Sequence, residues 1–524
     1  MSVHAIGGAS SPSNGIIARA ISGHRTGPFP LSSRTRTPFL PLEPAVSGLS
    51  LRARIRRSCL EAIVAGRVGH GDRLPSARQL ARDWRVSRTT VDDALAALQA
   101  EGVIERRVGS GTFVVFRADR QASAQWRPRP PSALGREALA ELSRWGRVAA
   151  EVDAPHAAPK SRAFVAGLPD VSLFPHDLWR RIVARRLRGD AAKLAAYLPP
   201  LGLPALQHAT ARHLASFRGL ACEPSQILIL NSTMQAADLI ARVLLERGRR
   251  AWIEDPCYPN LRSSLALSGA TLVPVPVDGE GIDVEQGIAR APDATLAYVT
   301  PACHYPLGVA LSPGRRQALL DWAAKRGAWI VEDDYQSEFF YDALPSAPLA
   351  SFAASERVLH LGTFTNAVFP SLRLAYVVLP PALVDVFAAV RGQLDGHTHG
   401  LAQAALADFI EGGHFAAHLR RMRSVYGQRR DALVEACLRE LPDRFVLGAN
   451  GAGMGVALLD RRRRADRELA DRALDASVQV LPLSRYAIRS RAWRGLLLGY
   501  TGLHEAAIRS GIARLARALR EALR

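Results

Sequence analysis

The chain has 524 residues, longer than one ordinary domain, and 48% of them are hydrophobic, which excludes wholesale disorder. No stretch approaches the roughly 18–20 apolar residues of a membrane span, and no charged-then-apolar leader is read. The five cysteines (Cys59, Cys222, Cys257, Cys303, Cys437) are scattered without a CxxC pair, which points to reduced thiols in a cytoplasmic protein, not a disulfide frame or metal site. The net charge of +20 fits a nucleic-acid partner or an arginine-biased composition, since of 68 basic residues only Lys160, Lys193 and Lys325 are lysines.

In chain order, residues 1–38 are rich in Ser, Gly and Pro and read as a disordered extension. Residues 39–117 predict a small domain. Leu51, Ile55, Cys59 and Ile63 recur every four residues, as on a helix face that ends near Gly66. LPSARQLARDW signals a second helix, with Ser76 as its cap and Gln79 completing a capping box. After an RVS turn, SRTTVDDALAALQAEG signals a third, capped by Ser87. VIERRVGSGTFVVF reads as a hairpin around Gly109-Ser110-Gly111. Residues 118–162, with WRPRPPS, predict a linker. From 163 to 524, strands such as QILIL, AWIED, TLVPVPV, TLAYVT, AWIVEDD and VLHLGT alternate with amphipathic helices. That is the pattern of an α/β, mainly parallel, doubly wound sheet, closed by a smaller α+β segment over about 403–524.

GDRLPSARQLA, VSRTTVDDALAALQAEG and IERRVGSGTFV carry a resemblance of residues 49–115 to the GntR-type winged helix-turn-helix. The resemblance implies that the third helix enters the major groove with Ser87, Arg88, Thr89 and Thr90 at its leading end. Arg88 is then placed for a bidentate bond to guanine, Ser87 and Arg78 for backbone phosphates. Arg106, Arg107 and the small tip through Gly111 would carry the wing into the minor groove. For any single arginine an ordinary solvated face remains the alternative.

Residues 163–524 resemble the fold type I aminotransferase domain of MocR-type regulators, a GntR subfamily, through AGLPDVSLFPHDLWRR, NSTMQAADLIARVLL, EDPCYPN, YVTPACHYPLG, WIVEDDYQSEFFYD, GTFTNAVFPSLRLAYVVLP and LPLSRYAI. The resemblance implies pyridoxal 5'-phosphate as cofactor. Asp333 matches the carboxylate on the pyridine nitrogen, Tyr335 the phenol near the ring hydroxyl, and Tyr258 the aromatic stacked on the ring. Ser232, Thr363, Thr365 and Arg373 match phosphate-side positions. Other positions depart. TFSK of relatives reads Thr363-Phe364-Thr365-Asn366, so Asn366 stands where the Schiff-base lysine belongs and no catalytic residue is assigned. Thr233 and Met234 crowd the phosphate turn, and Leu496 or Leu497 replaces the arginine that binds substrate carboxylate. Cys303 and His304, without a third ligand, read as pocket lining, and Arg461–Arg464 as a solvated loop. Asp333, Tyr335 and Tyr258 could equally be inherited core or interface residues.

These readings converge on a transcription regulator: a homodimer on a double-stranded DNA operator, with a small-molecule effector in a degenerate cofactor cleft, pyridoxal phosphate non-covalent or absent, and no transamination. Two readings compete with it, a working aminotransferase with an accessory DNA-binding domain and a constitutive DNA-binding protein whose large domain is a scaffold.

Overall fold

The computed structural model describes residues 42, 50–116, 141–143, 146 and 164–521, apart from 267, 353–355 and 464. The expected N-terminal extension and nearly all of the expected linker lie outside these residues. The chain divides into two compact units, the second beginning at Leu142.

The first unit is built as its periodicities dictate: helices α1 (Leu51–Val64), α2 (Ala77–Trp84) and α3 (Arg88–Ala100), then strands β1 (Ile104–Arg107) and β2 (Gly111–Val114). Ile55, Cys59, Leu80, Val91, Leu95 and Leu98 meet in one core, which is the tertiary reason each helix keeps an apolar stripe. The Ser76 hydroxyl accepts from the Gln79 amide at 3.2 Å. The expected capping box is only half formed, since the Gln79 side chain makes no return bond among the described residues. Arg85 ends α2 in the left-handed conformation (φ 52°) and turns the chain toward α3. In the hairpin Arg107 pairs with Gly111, whose φ of +120° and closeness to Arg73 (2.5 Å from Nε to a Cβ built there) leave room only for glycine.

In the second unit eight strands form one sheet: β3 (Ile227–Leu230), β4 (Arg250–Asp255), β5 (Thr271–Asp278), β6 (Gly281–Ile282), β7 (Leu296–Val299), β8 (Trp329–Asp334), β9 (Val358–Thr363) and β10 (Ala375–Val378). Their order is β3-β10-β9-β8-β7-β4-β5-β6. The run β5-β4-β7-β8-β9 is parallel, while β10 is antiparallel to both neighbours and β6 to β5. Strands buried on both faces, as β7 and β9 are, read as continuous apolar runs because helices cover each side. A second, antiparallel sheet, ordered β11-β12-β14-β13, comprises β11 (Phe445–Leu447), β12 (Gly455–Asp460), β13 (Leu481–Pro482) and β14 (Gly495–Gly499). In such a parallel sheet, ligands bind beyond the carboxyl ends of the strands. Here those ends are the loops after β4, β7, β8 and β9.

Candidate functional site

At the leading end of α3 the Ser87 hydroxyl accepts from the Thr90 amide (3.1 Å) and bonds the hydroxyls of Thr89 (2.9 Å) and Thr90 (2.6 Å). This cluster fixes the first turn and stands at a helix N-terminus, where anions are favoured. Arg88 projects with 71% of its side chain exposed, 3.4 Å from Asp92 one turn on. An exposed pair of this kind is worth at most about 1 kcal/mol, so Asp92 holds Arg88 only weakly. Arg106 is differently placed. Its Nη2 donates to both the Asp92 carbonyl (3.1 Å) and carboxylate (3.3 Å), which braces the hairpin against α3. Arg107 pairs with Glu105 and lies over the Phe113 ring at 5.1 Å. Arg78 is exposed and has no ion pair among the described residues.

In the second unit, strand alternation sorts the acids of β8. Glu332 accepts from the Leu349 and Ala350 amides and His360, and Asp334 pairs with the buried Arg218 at 2.7 Å. Asp333, between them, points the other way. Its Oδ2 accepts from the Tyr298 hydroxyl on β7 at 2.7 Å, while its Oδ1 is buried without a partner. Burial, with Asp334 beside it, pushes the Asp333 carboxyl up to about 7.

The other expected residues lie at the ends of β3, β4, β8 and β9 or on the segments that follow them. After β9, the Thr363 hydroxyl accepts from the Thr365 amide (3.1 Å), and Asn366 Nδ2 reaches across to the Tyr335 carbonyl (3.1 Å). Arg373 holds a left-handed backbone (φ 52°), is exposed, and has no ion pair among the described residues. A non-glycine residue held there costs on the order of 1 kcal/mol. Beyond β3, Ser232 caps the helix Thr233–Leu244 through the Gln235 amide (3.1 Å), and the N–H groups of Thr233 and Met234 at its N-terminus have no partner among the described residues. Met234, expected to crowd this turn, instead packs back on the sheet core, its sulfur 3.7 Å from Ser264 Oγ.

Four tyrosines wall the cleft. Tyr305 meets Tyr258, Tyr335 and Tyr486 edge-on at 5.7, 5.8 and 5.3 Å. The loop after Tyr486 is pinned by Asp255, whose carboxylate accepts the amides of Ile488, Arg489 and Ser490, each at 2.8 Å. Tyr298, Tyr305, Tyr486 and Asp255 were not singled out from the sequence; their only signal was membership in the motifs already quoted. Cys303 and His304 are wall residues: burial pushes the thiol up to about 12 and the imidazole down to about 3, and His304 Nε2 bonds the Pro256 carbonyl. On β14, Leu496 enters the main core, and Leu497 takes the opposite face beside Tyr305 and Ala166. Lys193 and Lys325 are exposed on helices, and Lys160 lies outside the described residues. Arg461–Arg463 are exposed, and Arg464 lies outside the described residues.

Comparison with known proteins places both units. The family described as bacterial regulatory proteins, gntR family, matches residues 51–114, and aminotransferase class I and II, a pyridoxal-phosphate-dependent family, matches 171–494. The chain is 37% identical over 450 residues (86% of it, 90% of the relative) to the probable rhizopine catabolism regulatory protein MocR of Rhizobium meliloti. It is 35% identical over 476 residues (90% and 97%) to the HTH-type transcriptional regulator TauR of Rhodobacter capsulatus. A solved relative is the α-aminoadipate aminotransferase LysN of Thermus thermophilus, complexed with N-(5'-phosphopyridoxyl)-L-leucine. It is 28% identical, with a TM-score of 0.64, covering 69% of this chain and 92% of that one. With a winged helix-turn-helix in one unit and a fold type I aminotransferase-like sheet in the other, the chain belongs to the MocR-type transcription regulators of the GntR family.

Proposed function

We propose that the protein is a ligand-gated regulator that binds operator DNA as a homodimer, holds a phosphorylated pyridine without a covalent bond, and carries out no transamination. The observation that carries this reading is the unpartnered, buried Oδ1 of Asp333 beside a loop where Asn366 replaces lysine. An amide nitrogen is not a nucleophile, and Asn366 is already engaged with the Tyr335 carbonyl. Transfer of an amino group needs a lysine both to attach the cofactor and to carry the proton, and the two described lysines, Lys193 and Lys325, are exposed on helices.

The remaining donor set fits a pyridoxyl phosphate. Asp333 Oδ1 lacks the N–H that a pyridinium supplies, in a charge-assisted bond. Tyr335 suits the ring hydroxyl and Tyr258 the ring face. The open amides after Ser232, with Thr363, Thr365 and Arg373, suit the phosphate. When bound, the group supplies an electron-poor ring and an amine- or aldehyde-bearing carbon. The chain's own residues bind and orient it, and its occupancy would shift the equilibrium between dimer geometries with different DNA affinity. Residues 118–162 would serve as the linker that lets that shift reach the winged helix. A scaffold reading leaves a buried carboxylate that costs stability and serves nothing.

Titration calorimetry of the full chain with pyridoxal phosphate and pyridoxamine phosphate tests the ligand, with Asp333→Ala as control. Heats no larger for the native protein than for the variant would overturn it. Incubation with amino acids, 2-oxo acids and excess cofactor tests the inactivity, which a heat-labile transfer rate above that of free cofactor would refute.

A further inference from the structure

Beside the tyrosines of the cleft lies a small, partly open pocket between Tyr305, Tyr335, Gln336, Ala166, Gly453 and Leu497. Its room, about 10 Å³, is that of one water or one hydroxyl-sized group. None of the side chains that line it is Arg, Lys, Asp or Glu, and His304 in its wall is held neutral by burial. A carboxylate pushed into this space would lose its hydration with no cation among the lining side chains to meet it, which is unfavourable. A neutral hydroxyl is treated differently. Gln336 is oriented by its Oε1, which accepts from the Met454 amide at 3.1 Å, and its amide nitrogen donates to nothing among the described residues. Tyr335 lines the same wall, its hydroxyl bonded to the Cys303 thiol.

We infer that this pocket selects an effector amine whose far end is an uncharged hydroxyl group, such as an amino alcohol joined through its nitrogen to pyridoxyl phosphate, with Leu497 excluding amino acid carboxylates and Gln336 donating to the hydroxyl. The inference rests on the proposed non-covalent pyridoxyl site and adds the chemical class of the effector. Leu497 determines the class by position: it occupies the pocket face of β14, where by resemblance substrate-binding aminotransferases present arginine, while its neighbour Leu496 is buried in the core.

The test uses the full chain and three reduced, stable probes measured by calorimetry: pyridoxamine 5'-phosphate, N-(5'-phosphopyridoxyl)-ethanolamine and N-(5'-phosphopyridoxyl)-glycine. The last two differ only in CH2OH against carboxylate. The ethanolamine adduct is expected to bind about tenfold or more tighter than the glycine adduct. Leu497→Arg should erase or reverse that preference. Gln336→Leu, which keeps the pocket apolar if the arginine variant does not fold, should bring the ethanolamine adduct down to the affinity of pyridoxamine phosphate. Equal affinity of the two adducts for the native protein, or tighter binding of the glycine adduct, overturns this inference while leaving the pyridoxyl site standing. If pyridoxamine phosphate itself does not bind, the proposed function fails, and this inference with it.

Discussion

Replacing Asp333 by Asn should stabilise the unliganded protein at alkaline pH and do far less at acid pH. The folded-state carboxyl is raised from 3.8 to about 7, so the folded chain holds its proton longer than the unfolded chain. Stability is therefore lost progressively as pH rises from about 4 to 7, and the loss levels off above. At 1.36 kcal/mol per pKa unit, the raised carboxyl costs roughly 4 kcal/mol at pH 8, where it is ionised, and roughly 2 kcal/mol at pH 5, where the folded chain keeps a proton that the unfolded chain has largely lost. An asparagine keeps the acceptor for the Tyr298 hydroxyl and leaves an N–H unpaired, a penalty of about 1 kcal/mol that is equal at both pH values and cancels between them. The variant should thus gain about 2–3 kcal/mol over the native protein between pH 5 and pH 8, a few degrees in melting temperature for a unit of this size. Glu338 is also raised to about 7 by burial and titrates alike in both proteins, whereas Glu254, raised to about 7 by burial with the Asp333 charge adding to it, is relieved in the variant and shifts the difference in the same direction. Thermal denaturation of native and Asp333→Asn chains at the two pH values measures the difference. Added pyridoxamine phosphate should raise the native melting temperature at pH 8 and leave the variant nearly unchanged. A native-to-variant difference that is the same at pH 5 and pH 8 would show that Asp333 is not an unpartnered buried acid.

Other perturbations test the remaining parts. Arg88→Ala should weaken specific DNA binding by ~1–3 kcal/mol and relax sequence preference, read by gel shift on the promoter upstream of its own gene; unchanged affinity would remove Arg88 from the interface. Arg106→Ala should lower the melting temperature of the first unit as well as its DNA affinity, because the guanidinium braces the hairpin on Asp92; lost affinity with an unchanged melt would make it a phosphate contact instead. Gly111→Ala should cost ~1–3 kcal/mol in the same melt, since alanine would need φ near +120° and would press on Arg73; an unaltered melt contradicts the hairpin geometry. Asn366→Lys, incubated with pyridoxal phosphate and reduced with borohydride, should gain the mass of one pyridoxyl phosphate while the native chain gains none. Labelling of the native chain to the same extent would place a reactive amine elsewhere.

The sequence alone was enough for what local physics decides. Ser76 and Ser87 sit three residues before the amides they cap, within reach of any helix built on that spacing. The apolar spacing of Leu51 to Ile63 is a single helix face whatever surrounds it, and the proposed loss of the lysine was read from GTFTN, where the resemblance puts Asn366 at that position. Tertiary structure alone decided the rest. Asp333 meets Tyr298 because β7 and β8 are neighbours in the sheet, a pairing across 35 residues that no local period encodes. Which of Glu332, Asp333 and Asp334 faces the cleft, and which of Leu496 and Leu497, depends on strand register; a shift of one residue would exchange the faces. Met234 turned back to the core because the adjoining helix Pro259–Ala266 offered it Ser264 and an apolar bed. Asp255 reaches a loop more than 230 residues away because both lie at the carboxyl edge of the same sheet. Elements follow from near-neighbour energetics, whereas a cleft is assembled from loops that chain order keeps apart, and only the packed sheet brings them within a hydrogen bond of one another.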